Sequence, residues 1–171
     1  MQSTDLAYVY DGGDGYHRSI VNAIADLTPP QLEFRAAAGM RSVGELAWHI
    51  GDGRVVWFRR IDAPGRVELQ AEVEARESAT MLASDVVQWL DRTWEKVSAT
   101  LAQWSVSDLE ASFQHPYEGK VYEVSRQWVI WRIMGHDIHD GELSEMLALQ
   151  GVEPVELTLL GGLLTEPPVV S

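Results

Sequence analysis

The fold class is decided by the stretch Ser42-Val-Gly-Glu-Leu-Ala-Trp-His-Ile-Gly-Asp-Gly-Arg-Val-Val-Trp57. Ser42 and Glu45 have the spacing of a capping box, in which each side chain accepts a hydrogen bond from the other residue's backbone N–H. Apolar residues then recur every three or four positions, which is the spacing of one helix face. His49 falls on that apolar face. The stretch therefore predicts an amphipathic helix that turns His49 inward and ends near Ala63-Pro-Gly65.

Three further segments show helical spacing of their apolar residues, at about 5–27, 80–104 and 125–150. Four long helices with modest connections predict an all-α fold, an antiparallel four-helix bundle. We expect one domain over residues 1–171, with the bundle core at about 5–151 and a short C-terminal extension at 152–171.

The segments between these helices give weaker signals. Glycines between residues 11 and 15 weaken the first helix, so its first half is expected to be a turn or a loop. The charged residues from about 66 to 78 predict a polar connection. Residues 111–124 are expected to be irregular, and a short helix is possible around 155–160.

Composition excludes several classes of function. The chain has 26 acidic and 13 basic residues, and a net charge of −13 repels the phosphates of nucleic acids. No apolar run is long enough to span a membrane, and the first residues lack the features of a secretory signal, so a cytoplasmic protein is expected. The absence of cysteine excludes disulfides, cysteine-ligated zinc and a cysteine nucleophile. The seven tryptophans predict core or interface residues.

The five histidines are His17, His49, His115, His136 and His139. On a helix His136 shares a face with His139 and also with Asp140. Several imidazoles that converge inside a bundle favour a divalent metal ion, and imidazole with carboxylate suits zinc, nickel, iron or manganese. Three protein ligands beside an open position are typical of a catalytic site.

Each histidine also has a plainer interpretation. His49 alone can be satisfied by a carbonyl or hydroxyl group in the core. His17 lies on the stripe of Ile20 and Ile24, where it either approaches the same interior or remains partly exposed. His115 precedes a proline in the irregular segment and receives no role.

Two pairs of runs resemble a known family. The runs Leu27-Thr-Pro-Pro-Gln-Leu32 and Arg41-Ser-Val-Gly-Glu-Leu-Ala-Trp-His49 resemble the first half of DinB-like proteins. The runs Ser125-Arg-Gln-Trp-Val-Ile-Trp131 and His136-Asp-Ile-His-Asp-Gly-Glu-Leu-Ser-Glu-Met-Leu147 resemble the second half. The resemblance covers about residues 27–151 and implies a four-helix bundle, often a homodimer, with three histidines around zinc or nickel.

The resemblance also implies a ligand set. His49 matches the family's histidine on the second helix, and His136 matches the first histidine of the last helix. The family's next histidine lies four residues on, where this chain has Asp140. Alignment on Gly141-Glu-Leu143 instead makes His139 the second histidine and puts Gly135 in place of His136. The resemblance favours His49, His136 and Asp140 as metal ligands, with His139 the next candidate.

The family includes transferases that use low-molecular-weight thiols, among them bacillithiol, mycothiol and glutathione. The resemblance therefore implies a metal-dependent transferase with a small thiol and an electrophilic substrate as partners. His139 would be the general base if it is not a ligand, and Asp137 and Glu142 would orient histidines. The alternatives are a metal-dependent hydrolase and a non-catalytic stress-response binding protein with a vestigial site.

Overall fold

The fold is mainly helical, as predicted, and one β-hairpin interrupts the helices. A computed structural model describes residues 6–10, 12–75 and 81–155, without the side chains of residues 8, 9, 75, 137 and 138. The helices are α1 Leu6–Val9, α2 Gly13–Ala25, α3 Pro29–Glu33, α4 Val43–Arg60, α5 Arg66–Ala75, α6 Ala83–Gln103, α7 Arg126–Met134 and α8 Ile138–Ala148. The strands are β1 Ser112–Tyr117 and β2 Lys120–Ser125, and 3₁₀ turns occur at Val106–Glu110 and Gly135–Asp137.

Helix α4 begins at the predicted capping box. The Glu45 backbone N–H donates to Ser42 Oγ at 3.2 Å, and the Ser42 backbone N–H donates to Glu45 Oε2 at 2.8 Å. These two bonds satisfy backbone donors that have no partner within the helix. The start of α4, and with it the position of His49 along the helix, is thus defined by local chemistry.

Two apolar clusters fix the rotation of α4. Leu46 and Ile50 belong to a cluster with residues of α2, α6 and α8, whereas Phe58 belongs to one with residues of α6 and α7. All three side chains are at most 2% exposed, and each fully buried side chain of this size contributes about 1.5–3 kcal/mol. Because α4 is anchored at both ends, the face that carries His49 has a defined direction.

The first predicted helix is divided near its glycines, but its first half contains the short helix α1 instead of a turn or a loop alone. Helix α1 ends at Val9 and α2 begins at Gly13. A Cβ atom on Gly13 would lie 2.5 Å from the Trp94 ring, so the glycine allows the start of α2 to contact α6 closely.

Two predictions for the connecting segments are wrong. Residues 66–75 form helix α5 instead of a polar connection, and Leu69 of this helix is buried beside Val55 and Trp89. Residues 112–125 form an antiparallel hairpin instead of an irregular segment. Its turn has positive φ at Glu118 (48°) and Gly119 (74°), a pairing that matches the twist of adjoining strands.

The fourth predicted helix is interrupted. Helix α7 ends at Met134, the 3₁₀ turn Gly135–Asp137 follows, and α8 continues from Ile138. The predicted extension at 152–171 lies mostly outside the described residues, which end at 155. The tryptophans divide into buried ones, such as Trp89, and exposed ones, such as Trp131 at 63%. None of the described helices is both long and apolar enough to cross a membrane.

Candidate metal centre

Three histidines from two parts of the chain converge. His49 comes from the middle of α4, His136 from the 3₁₀ turn and His139 from the first turn of α8. The centroid of the His49 ring lies 5.6 Å from that of His136 and 5.0 Å from that of His139. Each residue offers one ring nitrogen, and these three nitrogens all lie within 4.8 Å of one another.

The 3₁₀ turn decides which residues converge. A 3₁₀ segment has three residues per turn, so it changes the register between α7 and α8 relative to one continuous α-helix. His136 and His139 thereby both face His49, with their ring centroids 5.6 Å apart. The altered local register therefore allows His136 and His139, each favoured by a different family alignment, to lie in the same cluster.

Hydrogen bonds orient two of the three imidazoles. His136 Nδ1 lies 2.8 Å from the Arg132 carbonyl oxygen, to which it donates. His139 Nδ1 lies 2.9 Å from Glu142 Oε2, as expected if Glu142 orients this ring. Each bond places a proton on Nδ1, which leaves Nε2 with its lone pair. Such partners commonly orient metal-binding histidines.

The surroundings of His49 and His136 favour the neutral form of these two imidazoles. Burial, with a contribution from the Arg41 charge, lowers the pKa of His49 to about 4. Burial also lowers the pKa of His136. Neutral imidazoles are the form that coordinates a metal ion, because protonation removes the lone pair.

Gly53 allows His136 its position. A Cβ atom at residue 53 would lie 2.8 Å from both Cδ2 and Nε2 of the His136 ring. Real Cβ atoms do not approach a ring that closely, so any larger residue would displace the imidazole. Gly53 stands one helical turn after His49, on the same face of α4.

The other predicted site residues lie elsewhere. Asp140 is buried, at 3% exposure, but it is not among the residues whose ligand atoms converge, and His139 occupies the third place. His139 consequently lies within the cluster instead of beside it as a separate base. The side chain of Asp137 is outside the described part of the chain. His17 is buried against Asp91, and His115 lies on β1.

The cluster opens into a cavity of about 380 Å³. The three histidines lie on its wall together with Asp52, Gly53, Val56, Trp57, Arg60, Arg132 and Gly135. A ligand that enters this cavity meets the imidazoles, one carboxylate from Asp52 and two guanidinium groups. The cavity therefore has polar groups of both signs beside the cluster.

The donor set fits a divalent transition metal. Imidazole suits zinc, nickel, copper and iron, and metal–nitrogen bonds of about 2 Å place tetrahedral ligand atoms about 3.3 Å apart. The three ring nitrogens lie within 4.8 Å of one another, so a bound ion would draw them closer together. Three ligands on the wall of an open cavity leave room for a fourth from outside the protein.

Gly53, Arg60 and Arg132 were not predicted as site residues from the sequence. A glycine in the interior of a helix, four residues after an inward-facing histidine, was an available signal, because such a glycine costs about 1 kcal/mol relative to alanine without a packing reason. Arg60 and Arg132 are distant in sequence, and only the packing of α4 beside α7 places both on one cavity.

Comparison with known proteins identifies the family of this chain through one family model. The family model of the DinB superfamily matches residues 17–143. The fold is similar to the crystal structure of a DinB-like protein from Bacillus cereus ATCC 10987, with a TM-score of 0.67 over 91% of this chain and 99% of that chain. At 15% identity this likeness shows the fold alone. No match was found among curated proteins. The chain belongs to the DinB superfamily.

Proposed function

We propose that His49, His136 and His139 bind a divalent metal ion, zinc or nickel, and that the protein is a metal-dependent transferase that uses a low-molecular-weight thiol. One observation carries the proposal: three imidazole nitrogens lie within 4.8 Å of one another on the wall of an open cavity. Membership of the DinB superfamily, which includes metal-dependent enzymes, supports it.

The chemistry requires a nucleophile from outside the chain. The sequence has no cysteine, so a thiol must enter with the substrate. A bound divalent ion acts as a Lewis acid that lowers the pKa of a thiol or of water and so supplies a nucleophile at neutral pH. The cavity of about 380 Å³ beside the histidines offers space for a small thiol.

The proton of that thiol needs an acceptor. His139 cannot accept it while its Nε2 lone pair is a ligand and Nδ1 donates to Glu142. Asp52 lies three residues after His49 on α4 and lines the same cavity. We assign to Asp52 the role of general base in place of His139.

Metal content is the first test. Plasma mass spectrometry of the untagged protein should give about one equivalent of zinc or nickel, and His49→Ala should lose it. His115→Ala is the matched control, because His115 lies on β1 outside the cluster. If neither parent nor variants hold metal after incubation with excess ions, the metal site is refuted and a non-catalytic binding protein is left.

The ligand set needs a separate comparison. The family pattern favours Asp140 as the third ligand, whereas the geometry favours His139. We expect His139→Ala to weaken zinc binding by more than about a hundredfold, because loss of a residue that only supports a ligand usually weakens binding about ten- to hundredfold. A larger loss in Asp140→Asn than in His139→Ala would reverse the assignment.

Two assays separate the possible reactions. Consumption of 1-chloro-2,4-dinitrobenzene that depends on both metal and added thiol supports the transferase. Thiol-independent cleavage of 4-nitrophenyl acetate supports the alternative, a metal-dependent hydrolase, which Asp52 favours because a carboxylate beside the cluster can also deprotonate water. Asp52→Asn should reduce the rate of whichever reaction occurs.

The proposal includes the finer architecture and the assembly. The contacts of α4 with α6 and α8, and of α2 with α6, support a four-helix bundle made of α2, α4, α6 and the α7–α8 pair. We further propose a homodimer, which the strongly exposed Trp131 on α7 favours. Light scattering coupled to size exclusion measures the assembly, and a monomer at all concentrations would refute it.

A further inference from the structure

A second cavity adjoins the first. It has a volume of about 590 Å³ and lies between α4, α7 and the hairpin. Trp57, Arg60 and Arg132 line both cavities, so the two spaces share a wall. Tyr117 from β1 and Trp128 from α7 add aromatic surface to the second cavity. A ligand here would extend from the hairpin toward the histidine cluster.

The two arginines differ from four others in the described part of the protein. Arg35, Arg66, Arg92 and Arg126 each lie beside a carboxylate. Arg60 and Arg132 form no ion pair with any residue in the described ranges 6–10, 12–75 and 81–155, although acidic residues outnumber basic ones twofold. Two unneutralised cations on one cavity are unexpected in so acidic a chain and indicate a place for an external anion.

Aromatic rings hold both guanidinium groups. The Arg60 guanidinium carbon lies 3.9 Å from the centroid of the Trp57 ring, and that of Arg132 lies 5.3 Å from the same ring. Arg132 also lies 5.9 Å from the Trp128 ring. Stacking on a ring face leaves the in-plane N–H groups available to an acceptor. Burial lowers the pKa of Arg60, yet a guanidinium remains charged at neutral pH.

The charge balance favours a monoanion. The lining of the second cavity includes one carboxylate, Glu123 on β2, beside the two arginines. The net charge of these three groups is +1. A bound carboxylate would neutralise this charge, whereas a phosphate dianion would leave a net charge of −1. Trp57 and Trp128, whose ring centroids lie 5.1 Å apart, provide apolar surface for a flat body.

We propose that this second cavity binds the carboxylate of a small aromatic acid, with Arg60 and Arg132 as its anion-binding residues. Its role as the electrophile-binding part of the active site rests on the proposed function. The binding itself does not, because none of the three histidines lines this cavity.

Calorimetric titration with 2-naphthoate tests the proposal on the full chain. We expect saturable binding, and weaker binding of 2-naphthamide by about tenfold or more, because the amide lacks the charge that strengthens hydrogen bonds to arginine. Binding of 2-naphthoate and 2-naphthamide with equal affinity, or no binding of either, would overturn the proposal. Tighter binding of 2-naphthyl phosphate would overturn the assignment to carboxylates.

Arginine variants supply the matched comparison. Arg60→Gln and Arg132→Gln should each weaken 2-naphthoate binding about tenfold or more. Arg59→Gln removes the same charge from the adjacent residue, which does not line the cavity, and should change the affinity less than about twofold. If Arg59→Gln and Arg60→Gln weaken 2-naphthoate binding equally, the effect comes from long-range charge alone and the proposal is overturned. Arg132 is exposed, so its variant tests the site if Arg60→Gln does not fold.

His49→Ala separates this inference from the proposed function. We expect this variant to bind 2-naphthoate as the parent does while it loses metal. Naphthoate binding in a parent without metal would refute the proposed function alone. Metal binding and thiol transfer without naphthoate binding would refute the subsite alone.

Discussion

The protein places its histidines in two different settings, one buried and one partly buried on a cavity wall. His17 on α2 is 7% exposed; its Nε2 lies 2.9 Å from Asp91 Oδ1 and its ring stacks on Trp94 at 5.6 Å. His49, His136 and His139 instead face one another across ligand-atom distances of at most 4.8 Å. The His17 imidazole contacts Asp91 and Trp94, whereas the other three histidines direct ring nitrogens toward one small space.

The difference shows that burial and spacing on a helix face do not identify a ligand. His17 follows the apolar stripe of its helix as faithfully as His49 does, and both have pKa values lowered to about 4, mainly by burial. What separates them is the neighbour on the facing element: a carboxylate for His17 and two further imidazoles for His49. The following predictions test that contrast.

Removal of a cluster histidine should have the largest effect. Zinc at about a thousand times its dissociation constant should raise the free energy of unfolding of the parent by about 4.1 kcal/mol, since it binds only the folded state. His49→Ala should show no such increase, whereas His17→Gln should keep it. Chemical denaturation with and without zinc measures both. If zinc does not stabilise His17→Gln, His17 and His49 do not differ in their role in metal binding and the contrast is wrong.

Acid should destabilise the metal-free protein in part through His17. Its pKa is near 6.5 in the unfolded chain and about 4 in the folded protein, so the unfolded state binds the proton more readily between these values. Stability should therefore be independent of this group above about pH 7 and fall by up to about 3 kcal/mol as the pH decreases from 6.5 to 4. Unfolding curves of metal-free parent and His17→Gln measure the difference. If the free energy of unfolding decreases equally with pH in the parent and in His17→Gln over this range, the prediction is contradicted.

Gly53→Ala should weaken the metal centre without removing a ligand. The added methyl group would lie 2.8 Å from the His136 ring and displace it, so we expect zinc affinity to fall about ten- to hundredfold. Gly141→Ala is the control, because a Cβ there meets nothing within 4 Å. Competition with a chromophoric chelator measures both affinities. Unchanged affinity in Gly53→Ala would show that His136 is not a ligand.

Glu142→Gln should have the smallest effect. The amide still accepts a hydrogen bond from His139 Nδ1 but lacks the charge, so we expect zinc affinity to decrease about tenfold or less. Glu145→Gln, an equal charge change one turn further along α8, should leave the affinity unchanged. If both variants weaken zinc binding equally, the His139–Glu142 bond has no specific role.

Local signals predicted the parts of the fold that local chemistry decides. The Ser42–Glu45 capping box fixed the start of α4, and the early glycines indicated the break before α2. Helix α5 was missed because its buried residues, such as Leu69, are too few to show a period and its apolar Val67 is exposed. The hairpin was missed although Glu118-Gly119 is a plausible turn, because most of its strand residues are exposed and do not alternate clearly.

The candidate site was predictable up to its local register. His49 follows from the apolar face of α4, and His136 from the paired histidines near the chain's last described helix. The choice between His139 and Asp140 depends on whether residues 135–137 form an α-helical or a 3₁₀ turn. That difference is small in local energy and is decided by packing between helices, which one sequence does not display.

The hairpin carries cavity-lining residues that can be exchanged. Its two strands pair only with each other within the described chain, and the three histidines all come from the helical segments. Residues such as His115, Tyr117 and Tyr122 can therefore be exchanged without altering the segments that hold the cluster. A library restricted to β1, β2 and their turn would vary which molecules the larger cavity admits while the chemistry beside it stays constant. The hairpin is thus the natural place to redirect this scaffold toward a chosen small molecule.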